Sequence, residues 1–309
     1  VPAAIRLPAF TRRTLISLIM TLSVPVAGWS QTASDRHDYR LWYRNYDSPA
    51  IYNLVRLALT KTPEYGPFTL VRSQEISQGR ALHELASGSS NGLVEIANVA
   101  TSVYREETLT PIPVPVDGGL LGFRVCLILP EKLDLFANIQ SLEDLRRGDI
   151  RIGQGSHWPD TPVLHANGID VVTHARYEIL FGMLRNDRFD CFARGISEVL
   201  YDLRRERADD LIIEPDLLLA YPMPSYLFVG KNDHETAQRL QLGLERAIED
   251  GSFGEYLDKW FGRAIEELNL EERTVIALEN PYLSEDSRHI AREALYGLAR
   301  RIELLNQAE

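Results

Sequence analysis

The sequence predicts an α/β protein of two lobes joined by two extended crossings. Three observations carry this expectation. Short apolar strand-like runs alternate with helical runs along most of the chain. Two proline-marked stretches, 111–119 and 214–224, interrupt that alternation, and prolines at alternate positions do not suit a central strand. After the second stretch one further strand and a set of helices return, as needed to complete the first lobe. The expected partition is a leader at 1–30, lobe 1 from 31–117 and 222–309, and lobe 2 from 118–221. With 309 residues the chain can bury two proper cores.

The leader is read from charge and length. Arg6, Arg12 and Arg13 precede the apolar run 15–24, no acidic residue occurs before Asp35, and Gly28 and Ser30 are the small residues of a cut before Gln31. The run is shorter than the roughly 18 residues a membrane span requires, and Pro25 follows it, which favours a cleaved secretory leader over a retained anchor.

The remaining elements follow in order. Residues 39–43 alternate as a strand, and Asp47-Ser48-Pro49 opens a helix to about 60, with a capping side chain before a first-turn proline. Strands are expected at 68–72 and 93–99, with a helix at 78–86 between them. The second block reads strand 122–129, helix 141–147, strand 151–154, helix 161–167 ended by Gly168, strand 170–173, helix 177–186, strand 189–193 and helix 197–207. Residues 226–229 form the returning strand. Helix 234–250 places Leu240, Leu244 and Ile248 on one face and stops at Gly251, and 253–261 is a short aromatic helix. A tail helix at 285–305 carries Ala291, Leu295, Leu298, Ile302 and Leu305 on one face. This alternation points to mostly parallel sheets.

Loss of the leader would remove three arginines and no acid, leaving 30 basic against 44 acidic residues and a net charge of −14. That balance disfavours nucleic acid and anionic membrane surfaces as partners. Cys126 and Cys191 are the two cysteines and both fall in strand-like runs. An exported protein could oxidise them; strand interiors rarely give the needed Cβ separation, so two buried free thiols are expected over a bridge.

The most pointed stretch is 151–162, where Arg151-Ile152-Gly153-Gln154-Gly155-Ser156 runs as strand and glycine-bracketed turn into His157-Trp158-Pro159-Asp160-Thr161-Pro162. Such a turn sets backbone N–H groups and side chains at the carboxyl end of a strand, where α/β domains bind ligands. Together with Ser102-Val103-Tyr104-Arg105, Phe189-Asp190-Cys191-Phe192 and the ending Gly251-Ser252-Phe253 through Lys259-Trp260-Phe261-Gly262, it resembles the family 3 solute-binding proteins, periplasmic amino-acid receptors of ABC transporters, over about residues 38–262. A narrower branch is resembled at Gly153–Thr161, at Phe192-Ala193-Arg194-Gly195-Ile196-Ser197-Glu198 and at Tyr221-Pro222-Met223-Pro224.

The resemblance implies a type 2 periplasmic-binding-protein fold with hinges at about 115–120 and 219–223. It further implies a soluble periplasmic monomer that closes on a small-molecule ligand and is read by a membrane permease or a sensor receptor. It carries no cofactor, metal or catalytic residue. Two departures bear on the ligand. Gly195 stands where amino-acid receptors keep an acid for the ligand ammonium, with Arg194 beside it, and Ala100 stands for a family threonine. Both turn the expectation towards an anionic solute.

The candidate ligand-binding set is Ser102, Arg105, Gln154, Ser156, His157, Trp158, Arg194 and Glu198. Arg105 is read as a bidentate clamp on a ligand carboxylate, against a surface pair with Glu106 or Glu107. For Arg194, ligand contact and an internal pair with Glu198 remain equally open. Trp158 either stacks on the ligand or plugs the lobe, His157 either donates to an anion or is solvated, and Asp160 is read as a helix N-cap. His157, Asp160, His165 and His174 lack compact metal spacing, and Ser156 beside His157 is no catalytic pair. Two other classes stay in view: an exported enzyme using His157 or Glu198 as acid–base group, and an interaction protein using the tail helix.

Overall fold

The structure, a computed structural model, describes residues 36–88 and 92–306. The expected leader and the tip of the 87–92 loop lie outside the described residues. So do the side chains of Leu295, Leu298, Ile302 and Leu305, and with them most of the expected tail-helix face. In chain order the elements are β1 (His37–Leu41), α1 (Tyr43–Asp47), α2 (Pro49–Thr60), β2 (Phe68–Arg72), α3 (Gln78–Ala86), β3 (Ala97–Ala100), α4 (Val103–Thr108) and β4 (Thr110–Ile112). After the first crossing come β5 (Phe123–Ile128), α5 (Leu133–Phe136), α6 (Leu142–Arg147), β6 (Ile152–Gly155), α7 (Asp160–Ala166), β7 (Val171–His174), α8 (Tyr177–Arg185), β8 (Cys191–Gly195), α9 (Val199–Arg205), β9 (Ile212–Ile213) and β10 (Leu217–Ala220). The last are β11 (Ser225–Val229), α10 (His234–Glu249), α11 (Ser252–Glu267), β12 (Thr274–Ala277) and α12 (Glu285–Asn306).

In the first lobe β1 pairs with β2 in parallel, and a bridge between Leu41 and Ile96 carries this pair to β3. The returning β11 fits antiparallel between β3 and β4. Pro111 is tolerated because β4 is the edge of that sheet. Helix α10 buries Leu240 and Leu244 in the same core as Leu54, Val55 and Leu59 of α2, each fully buried side chain contributing about 1.5–3 kcal/mol. Gly251, at φ 83°, ends the turn between α10 and α11 in the left-handed region.

The second lobe is built on a seven-stranded sheet in the order β12-β10-β5-β8-β6-β7, with β9 also against β5. Phe181, Phe189 and Phe192 lie in the core on one face; Ile128, Ile152, Leu164 and Leu217 lie in that on the other. Strands buried on both sides read as continuous apolar runs.

Three expectations are corrected. The sheets are mixed rather than mostly parallel, because β5 and β11, the strands that follow the crossings, run antiparallel to their neighbours. Residues 274–277 do not belong to lobe 1. They pair in parallel with β10 from Leu217↔Thr274 to Ala220↔Ala277, so the chain re-enters the second lobe. Cys126 and Cys191 are not free thiols; they form a disulfide with Cα atoms 5.0 Å apart. Both sit on one face of the adjacent strands β5 and β8, where diagonal neighbours approach to within disulfide range.

Candidate functional site

A cavity of about 990 Å3 opens between the lobes, lined from the first by the 42–51, 75–78 and 98–100 segments and Arg105, and from the second by Trp158, Asp160, Tyr177, Arg194 and Glu198. The first crossing contributes Val116 and Asp117.

Arg105 is the central cation of the first lobe. Ser102 caps α4 by accepting the Arg105 backbone N–H at 3.3 Å, which turns the helix so that the Arg105 side chain points inward and is buried. The guanidinium donates to the Ala100 carbonyl (2.6 Å), Gln78 Oε1 (2.8 Å) and, across the cleft, the His157 carbonyl (2.7 Å). Burial pulls its pKa down to about 10, with Asp160 acting in the opposite sense. Arg105 forms no ion pair with a carboxylate among the described residues. Glu106 instead accepts from Thr101 and Ser287.

Arg194 differs. It is 4 % exposed and its charge is answered internally: its Nε donates to Asp202 at 2.8 Å, and Nη2 lies 2.7 Å from Asp202 and 2.9 Å from Glu198. Burial opposes the charged form, but Asp202 and Glu198 outweigh it and hold the guanidinium above its ordinary pKa. The internal pair is therefore observed, with Asp202, a partner that sequence reading missed, as its buried member. Arg124 was missed as well. It pairs with Asp160 at 2.7 Å and lies 3.6 Å from Glu198. Asp160 is thus no N-cap, a place taken by Pro159; it accepts from Tyr221 Oη at 2.7 Å as well as from Arg124. Arg194, Asp202, Glu198, Arg124 and Asp160 make one charge chain along the second-lobe wall.

The other candidates separate. Trp158 stacks on Phe192 at 6.2 Å and lies under Arg194 at 4.9 Å, so it packs the lobe while its edge lines the cavity. His157 turns its ring onto the first lobe at Gly79, where a Cβ would fall 2.7 Å from His157 Cδ2. Only a residue without a Cβ admits the imidazole there. Gln154 is fully buried and donates to the Ala193 carbonyl, and Ser156 is exposed with its backbone N–H on His174. Ser102, Gln154, Ser156 and His157 do not line the cavity.

Further contacts close the rim. Tyr43 Oη donates to Glu178, Arg44 lies 3.7 Å over the Tyr177 ring, and Tyr201 Oη donates to the Asp47 carbonyl at 2.7 Å. At the first crossing, Ser197 Oγ of the second lobe donates to Asp117 Oδ2 at 2.8 Å, and the Gly119 N–H donates to Oδ1 at 3.1 Å.

Asp117 is buried, and burial raises its carboxyl from 3.8 to about 6, helped by Glu198 and opposed by the Ser197 and Gly119 hydrogen bonds and by Arg124. A raised acid favours the protonated folded state. Its stabilising contribution is therefore complete below about pH 4 and lost as pH rises through about 6. Urea midpoints of wild type and Asp117→Asn, compared from pH 4 to 7, should diverge across that window. A constant difference would contradict the assignment.

No family model matches the chain, and no curated protein sequence matches it. Solved structures do match. An amino-acid ABC transporter substrate-binding protein from Streptococcus pneumoniae, bound to L-arginine, superposes with a TM-score of 0.55 at 14% identity, over 74% of this chain and 96% of its own. An ancestral arginine-binding protein bound to arginine gives 0.54 at 15% identity, over 73% and 99%. A Salmonella typhimurium periplasmic binding protein with high arginine specificity gives 0.52 at 12%, over 73% and 99%. The fold is that of the two-lobe amino-acid-binding proteins. In that fold the charge chain of the second lobe and the unpaired Arg105 of the first face one another across the interlobe cleft.

Proposed function

We propose that this chain is a periplasmic substrate-binding protein that captures a small carboxylate-bearing, anionic solute, amino-acid-like or an organic acid. The solute is held between a first lobe of 31–117 and 222–309, less the 274–277 strand, and a second lobe of 118–221. Hinges lie at about 115–120 and 219–223. The loaded form is presented to a membrane partner, an ABC permease or a sensor receptor. One observation carries the reading: Arg105 is a buried guanidinium in the cleft with no carboxylate in ion-pair range among the described residues, so a ligand carboxylate supplies the missing charge. The arginine-bound and amino-acid-transport neighbours support the class. A binding role is favoured over an enzymatic one because Glu198 is held by Arg194 and Arg124 and the His157 ring packs on Gly79 outside the cavity lining.

The test is thermal melting against amino acids, including arginine, dicarboxylates and other organic anions. A solute present at 100 times its Kd stabilises by about 2.7 kcal/mol. A raised Tm is expected for a carboxylate-bearing solute. A panel with no shift would overturn the proposal.

A further inference from the structure

Beyond the two crossings the chain passes between the lobes twice more, into the second lobe ahead of β12 and back to the first after it. Strand β12 is fixed in the second-lobe sheet beside β10, and Ile276 and Leu278 enter that lobe's core. The Leu278 N–H donates to the Ala220 carbonyl at 2.8 Å, and Asn167, just past the end of α7, makes a reciprocal pair with Glu279, Nδ2 to the carbonyl (2.8 Å) and the Glu279 N–H to Oδ1 (3.1 Å). The segment then meets the second crossing, where Asn280 Nδ2 donates to the Pro222 carbonyl at 2.7 Å.

Two residues later it is on the first lobe. The Tyr282 carbonyl accepts the N–H of Val103, the first residue of α4, at 3.0 Å. Buried Ser287 at the start of α12 donates to Glu106 of α4 at 2.6 Å and accepts from Tyr226 Oη at 3.2 Å. Ala294 packs on the first crossing: a Cβ at Gly119, which has φ 92°, would fall 2.9 Å from the Ala294 Cβ.

We propose that residues 274–294 form a strap that limits how far the two lobes part, and that it holds α4, the helix of Arg105, in register with the second-lobe sheet. The reason is geometric. Six residue steps join Leu278 to Ser284, and fully extended chain spans at most about 3.6 Å per residue. Those residues are already held along their path by the hydrogen bonds above. Rotation about the two crossings therefore either stays within the slack of this short link or breaks one of its anchors.

The experiment needs no solute, so its outcome is separate from that of the ligand panel. Spin labels are placed on exposed positions of each lobe through Arg56→Cys and Glu143→Cys in the full chain with its disulfide intact, and the interlobe distance distribution is measured. A flexible glycine–serine insert between Pro281 and Tyr282 leaves the second-lobe anchors at Leu278 and Glu279 and the first-lobe anchors at Tyr282 and Ser287 in place and lengthens only the link. The insert is expected to shift the distribution to longer distances and broaden it. Asn280→Ala, which releases the hold on Pro222, should shift it in the same direction by less. Distributions superimposable on that of the uninserted chain overturn the strap. Should the insert abolish cooperative melting, the Asn280→Ala distribution decides by the same two outcomes.

Discussion

Arg105→Ala is expected to weaken capture of the solute found in the thermal panel by about 25-fold or more, with a cooperative fold retained. Removing one partner of a buried, hydrogen-bonded charge pair costs about 2–5 kcal/mol, and every 1.4 kcal/mol is about tenfold in Kd. The fold survives because Arg105 has no counter-ion among the described residues to leave stranded; its truncation frees three neutral acceptors, of Ala100, Gln78 and His157. Arg105→Lys should fall between wild type and alanine, since lysine keeps the charge and loses the planar fork. Calorimetric titration of the three proteins reads this directly. An alanine variant within about threefold of wild type, a difference near 0.7 kcal/mol, would remove Arg105 from the site.

Asp202→Ala should lower stability by about 3–5 kcal/mol, because it leaves Arg194 charged, 4 % exposed and without its buried partner. Glu198→Ala should cost distinctly less. The Glu198 side chain is 41 % exposed, and Arg194 would keep Asp202. Urea unfolding of the two variants separates them. Equal losses would mean that Asp202 is not the principal counter-ion and that the wall is not organised as described.

What was legible in the sequence was local. The start of α2 at a first-turn proline, α3 at 78–86 with its Ser77 cap, and the α10–Gly251–α11 ending with its left-handed glycine depend on features within a few residues, although Ser48 makes no side-chain capping bond. The alternate prolines of 111–119 reflect backbone restriction alone, whereas of the second expected stretch, 214–224, residues 217–220 form strand β10 rather than a free crossing. Of the cleft lining, Arg105, Trp158, Arg194 and Glu198 could be named from the sequence, because each lies at a strand end or a helix start. The Arg124 and Asp202 partnerships of the second-lobe wall could not, because they join separate elements of the chain. Arg124 meets Asp160 and Tyr221 across three elements, and Asp202 reaches Arg194 over a strand end and a helical turn. Strand β12 was hidden by its length, four residues between acidic turns, and only its pairing with β10 defines it. The disulfide was misjudged because antiparallel pairing of β5 with β8 has no signature in either strand.

That bond has a consequence for the charge chain. Arg124 and Arg194 lie on the two strands it joins, with Arg124 opposite Gly195 and Val125 opposite Arg194. A slip of one residue between these strands would turn every side chain to the other face, carrying the Arg194 guanidinium away from Asp202. Hydrogen bonding alone tolerates such a shift, whereas a covalent link from Cys126 to Cys191 does not. The disulfide therefore works as a register pin: misaligned pairings are removed from the states the sheet can occupy, and the electrostatics of the cleft wall are correct whenever the bond is made.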